Sequence, residues 1–218
     1  MRITAPLRTR SRPMASPALV KGFTLLELML TVTVAGVILG LGAPNMAEFI
    51  RNSRMTSSAN DMLAALHMAR TEAVKRRAWT VMCMSADPNA TTPTCTAAGT
   101  GWIVFVDDAD PAASNANDGN LVVDADEDIL LRHETAPATI TLRTAPNANR
   151  GYIAFTSSGF SRAVAAGTPL RSIRLCDSRG NTAIYGADNS AARAITISQT
   201  GRPQVTRLVD DITALGGC

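Results

Sequence analysis

The side chains able to do chemistry here are four cysteines, two histidines and a glutamate isolated in an apolar run. Cys83, Cys95, Cys176 and Cys218 form no C-x-x-C pair, and no histidine stands at zinc-ligand spacing from them. An even cysteine count in a domain that follows an apolar segment suggests two disulfides in an oxidising compartment; four buried free thiols are the alternative. His67 and His133 are the side chains that ordinarily titrate near neutrality. Neither lies in a nucleophile motif, and His67 reads as a rim residue of a helix. Segment 107–128 is acidic, and Asp118-Gly119-Asn120 with residues 124–128 offers the oxygen atoms that calcium takes. The EF-hand spacing is missing, so a solvated loop is the simpler reading. With no Gly-rich phosphate loop, zinc pattern or paired-carboxylate motif, the expectation is no catalytic residue, no metal and no cofactor.

Glu27 is the single charge between residues 23 and 46. An apolar stretch of about 20 residues is long enough to span a bilayer as a helix. A carboxylate near its start costs a few kcal/mol unless it is paired. Either Glu27 snorkels to the interface, or it meets a cation, such as an N-terminal amine of its own or of a neighbouring subunit. Ahead of the run lie Arg2, Arg8, Arg10, Arg12 and Lys21, with no acid. Loss of these five charges takes the net charge from +3 to −2. The run has no small-x-small cleavage box and continues into an amphipathic segment, unlike a removed secretory signal. The flanking charges place the N-terminus in the cytoplasm.

The elements that must position these groups follow from periodicity. Met55, Ala59, Met62, Leu63, Leu66, Ala69, Ala73 and Val74 form one face of a 3.6-residue repeat, predicting helix from Met46 to about Arg77. Beyond Arg77 the period falls to two, and strands are predicted at 79–84, 102–107, 129–133, 139–143, 152–156, 172–176 and 194–198. The predicted class is α+β: a long N-terminal helix, transmembrane then amphipathic, laid on antiparallel β-sheet. Aromatics are only 4% of the chain, so Val, Ile, Leu, Met and Ala must build the core. Charge is also segregated. Residues 86–128 hold nine acids and no base, whereas residues 129–218 hold ten arginines against five acids.

The stretch Lys21-Gly22-Phe23-Thr24-Leu25-Leu26-Glu27-Leu28 resembles the class III signal of type IV pilins and type II secretion pseudopilins. That resemblance implies cleavage after Gly22 by prepilin peptidase, N-methylation of Phe23, and pairing of Glu27 with the N-terminal amine of an adjacent subunit. It also makes Pro44 the expected kink of the assembly helix. The leader is long for such proteins, and a start at Met14 shortens it. Further motifs resemble the FimT/GspH group of minor pilins: Arg70-x-Glu72-Ala73, Lys75-Arg76, Gly101-Trp102-Ile103-Val104-Phe105 and Ile129-Leu130-Leu131-Arg132. Phe155 with Gly159, Leu175-Cys176-Asp177-Ser178-Arg179-Gly180 and Thr200-Gly201-Arg202 continue the likeness. The organisation implied is a leader (1–22), a transmembrane assembly helix (23–46), its amphipathic continuation (47–78) and a β domain (79–218). The expected disulfides are Cys83–Cys95, closing a short local loop, and Cys176–Cys218, tying the chain end to a strand.

Two functions follow from the resemblance. One is a minor subunit that helps initiate or cap a type IV pilus or type II secretion pseudopilus. Its partners would be other pilins or pseudopilins, the inner-membrane assembly platform and prepilin peptidase. The chain would cross the bacterial inner membrane once, with its globular domain in the periplasm. The other is DNA binding for natural transformation through a Gly-Arg-x-Arg loop. Here Gly201-Arg202-Pro203-Gln204 has Gln204 in place of the second arginine, and Arg207 lies three residues further on. Loop 200–207 is expected to project between Cys176 and Cys218, with Arg193 and Arg179 as further candidates for its face. Two to four arginine contacts to phosphates give only weak, sequence-independent and salt-sensitive affinity.

The processing site makes the first prediction. Intact-mass measurement of membrane-extracted protein should give a mature chain beginning at Phe23, and Gly22→Leu should leave the leader attached. A mature chain starting elsewhere overturns the assignment.

Overall fold

A computed structural model describes residues 22–96, 99, 101–107, 121–123, 127–134, 139–144, 151–163, 170–184 and 188–218, with backbone only at 43 and 44. The chain divides into two compact units, Met1–Met46 and Ala47–Cys218. One 52-residue helix, α1 (Leu25–Arg76), belongs to both. Its backbone stays helical through Pro44, whose side chain lies outside the described residues. Thr24 starts it: the hydroxyl accepts the Glu27 N–H at 3.2 Å and the carbonyl accepts the Leu28 N–H at 3.1 Å. At the far end Lys75 and Arg76 complement the helix dipole and share Glu72, at 3.0 and 2.8 Å. These partners hold the Glu72 carboxyl below its usual range, Arg76 contributing most and Lys75 next. Arg77, at φ 57, then turns the chain out of the helix.

Among the described residues, nine strands form two antiparallel sheets. The first has the order β3-β2-β1-β5-β6: β1 (Thr80–Ser85), β2 (Gly101–Val106), β3 (Ile129–Glu134), β5 (Tyr152–Phe155) and β6 (Ser161–Arg162). The second has the order β4-β7-β8-β9: β4 (Thr141–Thr144), β7 (Ser172–Cys176), β8 (Asn189–Ile197) and β9 (Pro203–Leu208). A short α2 (Val209–Ala214) follows. The α+β class read from the sequence is thus the fold: a helix packed on antiparallel sheets.

The main core lies between the second half of α1 and both sheets. Met55, Ala59, Met62, Leu66, Ala69 and Ala73 of α1 are buried against Met82, Met84, Trp102, Val104, Ile153 and Phe155 of the first sheet. Ile173, Leu175, Ile195 and Ile197 of the second sheet join the same cluster. Alanines on the helix stripe let its backbone approach the sheets closely. The outer face of the first sheet is covered as well. Val81, Cys83, Ile103, Phe105, Tyr152 and Ala154 pack beneath Leu121 and Val123. Burial on both faces is why β1 and β2 are apolar without alternation. On the second sheet, Ala192 and Ala194 face away from α1 and receive Ile212 of α2.

Three details depart from the sequence reading. Strand β8 starts at Asn189 rather than 194, through Ser190, Ala191 and Ala192, residues with little intrinsic strand preference. Burial on both sides overrides that preference. The segment expected to be a projecting loop, 200–207, is a tight turn followed by β9, which pairs with β8 in the register Ile195↔Val205 and Ile197↔Pro203. Its initial Pro203 and its largely exposed mixture of polar and apolar residues are typical of an edge strand and give weak periodicity. The six-residue α2 is too short to declare itself and is held by tertiary contacts. The calcium candidates at 118–120 and 124–126 lie outside the described residues, as does the leader up to residue 21.

Two disulfides join Cys83 to Cys95 and Cys176 to Cys218, at sequence separations of 12 and 42. Loop-closure entropy makes the longer loop the more stabilising, at about 4 against about 3 kcal/mol. Cys176→Ala with Cys218→Ala should therefore lower the urea midpoint more than Cys83→Ala with Cys95→Ala. The reverse order would refute the entropic account.

Candidate assembly helix and C-terminal arginines

The first site is the N-terminal part of α1. Residues Leu25–Gly42 form a helix long and apolar enough to cross a membrane, and none of that stretch is buried within the molecule. Phe23 is 80% exposed at its head, and Leu26, Leu30, Ile38 and Leu41 are exposed along it. The polar groups on this stretch are largely satisfied internally. Thr31 donates to the Leu28 carbonyl at 2.9 Å, and Thr33 to the Met29 carbonyl at 2.7 Å. Hydroxyls bonded to their own helix suit a setting without water. Glu27 is the exception: its carboxylate has no ion-pair partner among the described residues. It occupies the third helical position after Thr24. Thr24-Leu25-Leu26-Glu27 is therefore a capping-box pattern, placing the acid at the positive end of the helix dipole. The S/T-x-x-E spacing was available in the sequence, and Thr24 is a site residue that sequence reasoning missed.

The second site is the C-terminal arginines, which the structure separates. Arg202 is exposed in the hairpin turn between β8 and β9. Its backbone N–H donates to Ser198 Oγ at 3.0 Å, and its carbonyl accepts the Ser198 N–H at 3.1 Å. Arg207 is exposed near the other end of β9, so the two do not share one loop. Gly201 makes the turn possible. It has φ +75, and a Cβ there would lie 2.3 Å from the Gly159 carbonyl oxygen. That same oxygen accepts Arg70 Nε from α1 at 3.1 Å. Arg70, Gly159 and Gly201 thus form one stack that sets the turn against the helix.

Four other arginines act as braces. Arg179 forks onto Asp177, with Nη2 at 2.6 Å and Nε at 3.0 Å, and reaches Asn52 of α1 at 2.8 Å. Arg132 donates to the carbonyls of Pro88 and Ala90 at 2.9 and 2.6 Å. Arg174, buried on β7, donates to the carbonyls of Gly217 and Thr144 and pins the chain end beside Cys218. Arg193 is buried and donates to the Ser190 and Ala192 carbonyls, both at 2.8 Å. Burial lowers the pKa of Arg193, and nearby Arg207 and Arg179 lower it further. Arg193 and Arg207 line a groove of about 620 Å³ against α1. Of the histidines, His67 is exposed on α1 and His133 stacks on Trp102, with ring centroids 4.1 Å apart. Among the described residues, no three His, Cys, Asp or Glu side chains converge as metal ligands.

A family model for the type II transport protein GspH matches residues 58–201, from within α1 to Gly201. The chain belongs to the GspH family. Two crystal structures of the Pseudomonas aeruginosa type IV minor pilin FimU are also similar. One is 20% identical, over 69% of this chain and 91% of that one, with a TM-score of 0.42. The other is 21% identical, over 72% and 92%, with a TM-score of 0.45. No curated protein matches. The family match begins within α1 and lies in the domain that follows the exposed N-terminal part of that helix.

The glycine stack yields a test within this GspH-family domain. Gly201→Ala should cost more than the left-handed penalty of about 1–2 kcal/mol, because it also displaces the Gly159 carbonyl from Arg70. Gly180→Ala, at φ +64 with nothing within 4 Å of the added carbon, should cost that penalty alone. Equal losses in urea unfolding would show that the close approach carries no weight.

Proposed function

We propose that this GspH-family protein is a minor pilin or pseudopilin, processed after Gly22 and anchored in the inner membrane by the apolar part of α1. Its N-terminus is cytoplasmic and its globular domain periplasmic. From the membrane it enters a type IV pilus or type II secretion pseudopilus and helps initiate or cap it. The observation that carries this reading is residues Leu25–Gly42: apolar, helical, wholly exposed, and attached to a domain that matches the family. Such a surface is stable in lipid or among like helices and not in water. In the filament Glu27 meets the N-terminal amine of a neighbour. A mis-registered subunit leaves that charge unpaired in a low-dielectric setting, so the pair fixes axial position. Of the arginines considered for a DNA role, Arg202 and Arg207 sit apart and Arg179 and Arg193 are engaged within the fold.

Glu27→Ala tests the pairing. Removing the charge eases membrane insertion, so processing and membrane level should hold. Incorporation into sheared filaments should fall about tenfold or more, the factor produced by losing at least about 1.4 kcal/mol. Incorporation at the parental level would end the pairing idea.

A further inference from the structure

We propose that the groove between α1 and the β8–β9 hairpin receives an extended, carboxylate-bearing segment of another subunit, added as a strand on the free edge of β9; this rests on the assembly reading above. The α1 wall is one helical stripe that begins at Phe49 and continues through uncharged hydrogen-bonding groups, Asn52, Thr56 and Asn60 among them. The opposite wall holds Asn189, Arg193 and Arg207. Among the described residues, the groove is therefore lined by two guanidinium groups and no carboxylate. Arg207 is exposed and has no hydrogen bond or ion pair among the described residues. Arg193 is 7% exposed and already spends its Nη1 on backbone carbonyls. Asp177, the acid that acts on Arg193, is itself held by the Arg179 fork. Among the described lining residues the charges are thus both positive. That complementarity selects an acidic occupant.

The edge strand selects a peptide over a phosphate ligand. β9 ends its sheet, and its outward N–H and C=O groups are donors and acceptors that another strand satisfies as a set. Val205 and Leu208, 41% and 46% exposed on the same strand, add apolar contact that a nucleic-acid backbone or lipid headgroup does not use. The incoming strand therefore carries an acid opposite Arg207 and apolar residues against Val205 and Leu208.

The test places a photoreactive amino acid at Val205 of the full chain in assembling cells, with a second chain carrying it at Val37 of the apolar helix. The Val205 adduct should map to an extended Asp- or Glu-containing segment of another subunit. It should fall about tenfold with Arg207→Glu and survive Arg207→Lys, with both disulfides intact in each variant. Several outcomes overturn the proposal: Val37 adducts without Val205 adducts, a Val205 adduct indifferent to Arg207→Glu, or one mapping to lipid, DNA or a second copy of this chain. Loss of adducts at both positions sinks the assembly reading, and this proposal with it.

Discussion

The buried stripe of α1 from Met55 to Ala73 is the contact on which both sheets depend. Each sheet offers an apolar face: Met82, Trp102, Ile153 and Phe155 from the first, Ile173, Leu175, Ile195 and Ile197 from the second. Both converge on the same helix face, so the helix is the element that makes them one core. Polar bonds reinforce this packing at separate heights of the helix. Asn52 takes Arg179, Arg70 takes the Gly159 carbonyl, and Arg76 takes Asp128. The first 18 residues of α1 bury nothing within the molecule. One helix therefore serves two cores: its own domain's through residues 55–73, and, in the proposed assembly, one shared with other subunits through residues 25–42.

The arginines change meaning once the fold is seen. Ten arginines against five acids in the last 90 residues read as a basic surface for an anionic partner. Arg132, Arg174, Arg179 and Arg193 instead spend donors on carbonyls and on Asp177 within the fold. In a domain with short strands and many turns, carbonyls left over by the sheets need donors, and the guanidinium fork supplies several from one side chain. What remains for a partner among the described residues is narrower: the exposed Arg143, Arg162, Arg171, Arg202 and Arg207, whose side chains make no hydrogen bond or ion pair there.

The chain end is held by the same economy. Arg174 donates to Gly217, Cys176 bonds Cys218, Ile212 fills the space above Ala192 and Ala194, and Asn181 bridges to Val209 and Thr213. Fixing the tail fixes β9, which has one neighbouring strand among the described residues. An edge strand tied at both ends, by the Gly201 turn and by α2, is a pre-ordered template, and pre-ordering lowers the entropic cost of adding a partner.

The sequence by itself determined the features that depend on local periodicity and composition. The helix stripe, the apolar run with its single Glu27 and most strands all follow from residue spacing along one segment. The tertiary structure decided what depends on neighbours distant in the chain. β8 begins at Asn189, through residues with little strand preference, because burial on both faces outweighs propensity. β9 exists because β8 offers it an edge, although its own pattern is that of a loop. Whether an arginine is a brace or a free cation depends on which carbonyls surround it, and that arrangement is set by sheet pairing between segments far apart in the chain. Charge counts sum over the whole surface, while binding is decided by the few groups that folding leaves without partners.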